Sequence, residues 1–308
     1  MFNVNNYLEE INCPICYKND YTILKNSNYE KIYNLDSLLS IYKSSADELM
    51  LDQLVVCNNC NFSYLNPRIK SDIIYKSYSE NADEKHVSQD SMRYKTFKNS
   101  LLKIIDSNKL PSETKKTFLD IGSASGVFLK VAKDLGFEET GFEPSSWMVK
   151  YGVNKYNVNI HQGTVESVKY FKYDYISFWD VLEHVTNLKK TLEKVDELSK
   201  KNTILIINVP DIDSYVSKIM GFRWPFYLNV HLYYFRKKNL QEALSKHNFV
   251  LIKSFPHWQF LQLGYLLERA GKYFSFFLML KKLVDYLRVS KVSVPYNMGQ
   301  TTFVFKKQ

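Results

Sequence analysis

Four cysteines in two pairs, Cys13-Pro-Ile-Cys16 and Cys57-Asn-Asn-Cys60, have the spacing in this chain that points most directly to chemistry. A Cys-x-x-Cys turn aims two thiolates at one centre, and two such turns complete a tetrahedral S₄ shell for Zn2+. Four protein ligands leave no coordination position for a substrate, so the ion is expected to be structural. A thioredoxin-like redox role needs only one pair, placed after a strand in a βαβ unit, and neither condition fits. The first ten residues lack a basic start followed by an apolar run, which leads to the expectation of a reducing cytoplasm and no paired disulfides.

A second constellation is the run Asp120-Ile121-Gly122-Ser123-Ala124-Ser125-Gly126. Small residues at 122, 124 and 126 let a backbone approach a ligand closely, and a helix that starts there offers free N–H groups. Glu143 follows about twenty residues later, the offset at which a carboxylate accepts hydrogen bonds from both hydroxyls of a ribose. The third glycine of a dinucleotide fingerprint is missing, because that position is Val127. Further on, Asp180, Glu183 and His184 fall within one turn. Two carboxylates and an imidazole so close could hold a divalent cation that binds an attacking oxygen, or could simply order a loop. His231 lies in the aromatic segment 222–235.

These groups need a scaffold, and the surrounding periodicity supplies one. Thr117 to Gly122 reads as a strand, and Val127, Val131 and Leu135 follow at helical spacing until Gly136. Strand, glycine turn and helix make the first crossover of a doubly wound sheet. A second strand ends at Glu143, a fourth spans 173–180, a fifth 202–209 and a sixth 249–254. Helices fall between them at 188–198 and 240–247, and the last strand at 301–307. The expected organisation is a cysteine module at 1–68, a polar helical connector at 69–110 and an α/β domain at 111–308. A helix-like patch at 35–51 lies inside the module, and a helical insert at about 259–291 lies inside the α/β domain.

The turn follows a D-x-G-x-G-x-G arrangement with Ala124 in place of the middle glycine. With Gly163-Thr164-Val165-Glu166 and Asp180-Val181-Leu182-Glu183-His184, the chain resembles class I S-adenosylmethionine (SAM) dependent methyltransferases over about 110–258 and the final strand. The resemblance implies a Rossmann-like seven-stranded mixed sheet. It places SAM over Asp120, Gly122, Ser123, Ala124 and Gly126, its ribose on Glu143, its adenine beside Thr164 and Val165, and its methionine portion near Asp180. It also implies that the acceptor arrives near His184, with His231 in a lid, either of which could serve as the base. Together with the cysteines, His231-Leu232-Tyr233-Tyr234-Phe235 and Tyr296-Asn297-Met298-Gly299-Gln300 look like the zinc-ribbon methyltransferases of bacterial surface-polysaccharide and modified-sugar pathways. The acceptor implied is a sugar hydroxyl on a nucleotide- or lipid-linked glycan. Relatives that C-methylate deoxysugars carry a further C-terminal domain, so O-methylation is the expectation.

Composition bounds the alternatives. At 308 residues, 45% hydrophobic and 24% charged, the chain is neither disordered nor fibrous. A net charge of +9 favours anionic partners, nucleic acid or anionic lipid included. An RNA or tRNA methyltransferase is therefore the second reading, and a silent scaffold subunit the third. The Asn/Asp-Pro-Pro-aromatic tetrad of nucleobase amino methylation is not matched by Trp179-Asp180-Val181-Leu182. The insert mixes Leu and Phe with Lys272, Lys281, Lys282, Arg288 and Lys291. Such helices can rest on an anionic membrane face from inside the cell, although a cap over the substrate pocket or a dimer contact is the favoured expectation, because amphipathic helices usually face a core.

Overall fold

Runs of β-branched and aromatic residues free of Gly and Pro, such as those at 117–121 and 173–179, suit strands covered on both faces. In the computed structural model, which describes residues 3–30, 32–41, 50–74, 87–105, 115–271 and 274–308, they form the buried centre of a sheet. The chain begins with β1 (Leu8–Glu9), β2 (Tyr21–Lys25), α1 (Leu35–Ile41), β3 (Leu54–Cys57), β4 (Ser63–Leu65) and β5 (Arg68–Ile69). Helix α2 (Asp90–Ile104) leads into β6 (Thr117–Ile121), α3 (Val127–Asp134), β7 (Glu138–Glu143), α4 (Ser146–Tyr156), β8 (Ile160–Gln162), β9 (Tyr173–Trp179), α5 (Leu188–Glu197) and β10 (Ser199–Pro210). After α6 (Tyr215–Met220) come β11 (Tyr233–Tyr234), α7 (Lys237–Ser245), β12 (Phe249–Pro256) and β13 (Gln259–Gln262). The chain then adds α8 (Leu263–Gly271), α9 (Phe276–Tyr286), β14 (Ser293–Tyr296) and β15 (Gln300–Lys307).

The main sheet has the order β12-β15-β10-β9-β6-β7-β8. Strands β6 to β10 pair in parallel, whereas β15 runs antiparallel between β10 and β12. This is the Rossmann-like seven-stranded mixed sheet of the class I methyltransferase fold. The order turns back between β6 and β9, and ligands of open α/β sheets bind where that happens, beyond the strands' C-terminal ends. β9 stops at Trp179 because Asp180 takes φ +57, a left-handed backbone that cannot continue a strand.

The cysteine module is not a body apart. Its sheet has the order β11-β4-β3-β2, so the fourth strand is supplied by residues that follow β10. Tyr233 pairs with Tyr64, and Tyr234 with Ser63. Side chains extend the seam: the Arg236 guanidinium donates to the Asn61 carbonyl at 2.6 Å, and the Asn239 amide to the Cys60 carbonyl at 2.9 Å. Buried Phe62, Tyr64, Trp224 and Tyr234 belong to one apolar cluster that continues to Leu119, Ile176 and Phe305. The boundary at residue 68 thus divides the sequence but not the core.

Three expectations about local structure change. The helix-like patch at 35–51 is helical over Leu35–Ile41, with 42–49 outside the described residues. Within the connector, 90–104 is helical, and 75–86 and 106–110 lie outside the described residues. The insert opens as a strand rather than a helix, because β13 pairs antiparallel with β14 and forms the stalk of the α8–α9 hairpin. Helix α9 leaves Phe276, Met279, Leu283 and Tyr286 more than half exposed. Among the described residues no helix is long and apolar enough to cross a membrane.

Candidate active site

The glycine turn is held at the tip of β6 by hydrogen bonds that only its own backbone shape permits. The N–H groups of Gly122 and Ser123 both donate to the Phe142 carbonyl of β7, at 2.8 and 3.1 Å. Gly122, Ala124 and Gly126 all have positive φ, +69, +45 and +77. At Gly122 the requirement is double, because an added Cβ would sit 2.4 Å from Cγ2 of Val181. Gly122→Ala is therefore expected to cost about 2–4 kcal/mol, combining the left-handed penalty with overpacking. Thermal melts check this, and a loss below about 0.5 kcal/mol, the level of a neutral surface change, would contradict it.

Two acids flank the turn. Glu143 is 1% exposed, and its two oxygens accept the N–H groups of Ala124 at 3.0 Å and Ser145 at 2.9 Å. Each oxygen keeps a second lone pair for another donor. Asp120, also buried, accepts from the Ser177 hydroxyl at 2.6 Å. Burial pushes both carboxyls up to about 7, against the pull of these hydrogen bonds.

A cavity opens beside the turn at the C-terminal edge of the sheet. Of the residues singled out in the sequence, Gly122, Thr164, Val165, Asp180 and His184 border it. Asp120, Ser123, Ala124, Gly126 and Glu143 do not. Thr164 begins a short 3-10 turn at Val165–Ser167, whose buried Val165 presents an apolar surface.

At the far end, Asp180 is fixed by two amides: Oδ1 accepts from Asn208 at 2.7 Å and from Gln300 at 2.6 Å. Burial lifts it to about 6. His184 and His231 come together, with ring centroids 4.8 Å apart. Nδ1 of His184 faces the Val230 carbonyl and Nδ1 of His231 the Phe226 carbonyl, both at 2.8 Å. A carbonyl can only accept, so each Nδ1 carries the proton and each Nε2 keeps its lone pair. Burial draws His184 down to about 4 and His231 well below its usual value, so both are neutral near pH 7. The grouping expected at Asp180, Glu183 and His184 is changed by the fold: the Asp180 oxygen is held by amides, and His231 stands beside Glu183 and His184 instead.

Sequence reasoning missed the contributions of the connector helix. Asp90, buried at the start of α2, accepts the Ser125 hydroxyl at 3.0 Å and the Tyr156 hydroxyl at 2.6 Å, which latches the helix onto the glycine turn. One turn on, Arg93 has a buried Nε with no hydrogen-bond partner, and Asp90 and Asp180 are among its electrostatic neighbours. Neither residue belongs to a motif, and no spacing signals a contact of this sequence separation. Gln300 and Asn208 are equally silent, being amides within strands.

The four cysteines converge as their spacing requires. Cys13 and Cys60 sulfurs lie 3.4 Å apart, Cys16 and Cys57 3.5 Å, and all four within 4.8 Å of one another. A tetrahedral S₄ shell around zinc needs edges of ~3.8 Å, so the donor set fits such an ion, with no disulfide between the thiols.

A methyltransferase-domain family model matches residues 92–254, more than half of the chain. Comparison with curated proteins returned no match. Among solved structures, the chain is similar to a SAM-dependent methyltransferase from Archaeoglobus fulgidus, with 18% identity, a TM-score of 0.49, and coverage of 73% of this chain and 100% of that one. It is also similar to the magnesium protoporphyrin IX methyltransferase of Synechocystis PCC 6803 with bound SAH: 12% identity, a TM-score of 0.49, and coverage of 74% and 90%. Likeness at this distance carries no argument about substrate.

Proposed function

Because the chain belongs to the class I SAM-dependent methyltransferase domain family, we propose that it methylates a hydroxyl of a sugar in a nucleotide- or lipid-linked surface glycan. When bound, SAM supplies an activated methyl group for in-line displacement, and the protein's task is to align acceptor and donor. The observation that carries the oxygen acceptor is the cavity's polar end, where a neutral imidazole, His184, offers a lone pair within the same lining as Gly122 and Asp180. A hydroxyl must give up its proton on attack, and such a group is what it needs nearby. Glu143 and Asp120 shape the ribose side, Thr164 and Val165 the adenine side, and Asp180 with Arg93 the methionine side. The zinc module then acts as a structural support whose sheet is consumed by packing on the α/β domain, which disfavours a free RNA-binding ribbon. The exposed apolar residues of α9 support a lipid-linked acceptor.

The test is transfer of a labelled methyl group from SAM to three substrate sets: nucleotide sugars, lipid-linked oligosaccharides in anionic vesicles, and tRNA. Label in a sugar as a base-stable ether is expected. Label confined to RNA would favour the second reading, and no transfer together with no SAM binding the scaffold.

The raised acids make a second expectation. A carboxyl whose folded value is lifted stabilises the fold below its unfolded value and loses that contribution as pH rises through the folded one. For Glu143 and Asp120 the window runs from 4.5 and 3.8 to about 7. The unliganded protein is therefore expected to melt progressively lower between those limits. SAM affinity should move the opposite way, strengthening as pH rises to about 7, because ribose hydroxyls donate to the ionised form. A thermal-shift series with and without SAM reads both. A flat ligand-induced shift from pH 5 to 8 would remove the carboxylate from the binding account.

A further inference from the structure

Glu183 is the outstanding anomaly of the interior. It is 1% exposed, yet neither of its carboxyl oxygens has a hydrogen-bond partner. Buried carboxylates otherwise find a donor, an opposite charge or a metal, since an unpaired one costs several kcal/mol. The groups beside it are no remedy as they stand. His184 and His231 spend their N–H protons on the Val230 and Phe226 carbonyls, so each imidazole keeps one free lone pair, at Nε2. One ligand atom from each of the three residues lies within 4.8 Å of the others. With the Glu183 carboxyl ionised, three electron-pair donors thus lie close together in a buried place without a proton donor among them.

We propose that Glu183, His184 and His231 form a second metal site, separate from the four thiolates, that holds a first-row divalent ion such as Mn2+, Fe2+, Co2+ or Zn2+. The donor set decides the class: two imidazoles and one carboxylate suit these borderline ions, whereas Mg2+ and Ca2+ prefer all-oxygen shells. Each imidazole has its other nitrogen anchored on a backbone carbonyl, the arrangement that fixes the tautomer and orientation of a metal-ligating histidine. Three protein ligands leave coordination positions open, and His184 is the member that borders the cavity. An ion here stands where the acceptor oxygen is proposed to arrive; it would take up the His184 lone pair, and its Lewis acidity would replace the free imidazole in easing loss of the acceptor's proton. Only this purpose rests on the methyltransferase reading. The site itself does not.

The experiment loads the full chain with zinc at the thiolates and then titrates it with Co2+. Weak ligand-field absorption, without thiolate charge transfer, is expected to rise and saturate at one further ion per chain. Glu183→Gln and His231→Asn should weaken that uptake at least about 100-fold, beyond the effect of removing an outer-shell partner. His161→Asn, which removes an exposed imidazole outside the donor set, should leave Co2+ uptake within a few-fold of wild type. Excess Mg2+ should not displace the ion. No uptake by the zinc-loaded wild type, or uptake unchanged by both substitutions, overturns the proposal, as does ready displacement by Mg2+. The wild-type titration needs no variant, so a misfolded substitution leaves the test intact. SAM binding measured on the same samples separates failure of this site from failure of the functional reading: a chain that binds SAM but no cobalt refutes the site alone.

Discussion

Cys57→Ser is expected to lower the melting temperature by roughly 10 °C, corresponding to at least about 4 kcal/mol. The reasoning begins with the donor set. Serine removes one thiolate from a shell of four, and a structural zinc in such a shell contributes apparent binding energies of about 10–16 kcal/mol in isolated peptides. Most of that is forfeited if the ion leaves. The loss does not stay local, because the core of the cysteine module is continuous with that of the α/β domain. The Cys60 carbonyl accepts from Asn239 of α7, and β4 pairs with β11, so loosening the turn at 57–60 also loosens the segment that carries His231. Calorimetry together with zinc analysis checks the expectation. A variant that melts within 2 °C of wild type, or that contains as much zinc, would show that the thiolates do not act as a metal shell.

Glu143→Ala is expected to weaken SAM binding by about 100–10,000-fold, since hydrogen bonds to an ionised acceptor are worth about 1.5–3 kcal/mol each and a ribose offers two. A confounding effect must be separated. The carboxylate also binds the N–H groups of Ala124 and Ser145, so its removal disturbs the turn whatever the ligand does. The discriminating measurement compares the ordinary cofactor with a 2′-deoxy analogue by titration calorimetry. The wild type should prefer the ribose by about 10- to 100-fold, and the variant should lose that preference. A variant that binds weakly but discriminates as before would assign Glu143 to the turn rather than to the sugar.

Most of the main sheet was legible because its parts carry local signals: apolar strands are closed by Gly122, Glu143 or Asp180, and helical spacing follows the first and the last of these. Helix α4 and the third strand, β8, were given no range, since three residues at Ile160–Gln162 are too few to show a period. The cysteine shell was legible for the same reason, as two short turns of fixed spacing. What escaped were contacts between residues far apart in sequence. The Asp90 latch on Ser125 and Tyr156, the amide clamp of Asn208 and Gln300 on Asp180, and the meeting of His184 with His231 depend on packing. Asp180, Glu183 and His184 looked like a set because they are neighbours in sequence. The left-handed turn at Asp180 points its carboxyl toward β10 and β15, and the fold brings in His231 in its place. The start of the insert was misread because 259–262 lacks alternation, and its strand character comes from pairing with β14.

The borrowed strand has a consequence for biosynthesis. β4 ends at Leu65, but the partner that covers it, β11, begins only at Tyr233. At elongation rates of about 5–20 residues per second, the nascent module waits on the order of ten seconds or more with that ladder edge open. An open edge is a template for wrong partners. Early capture of zinc by the emerging thiols would hold the hairpin in register through this interval, so metal starvation during translation should yield insoluble chains even where the finished protein tolerates chelation.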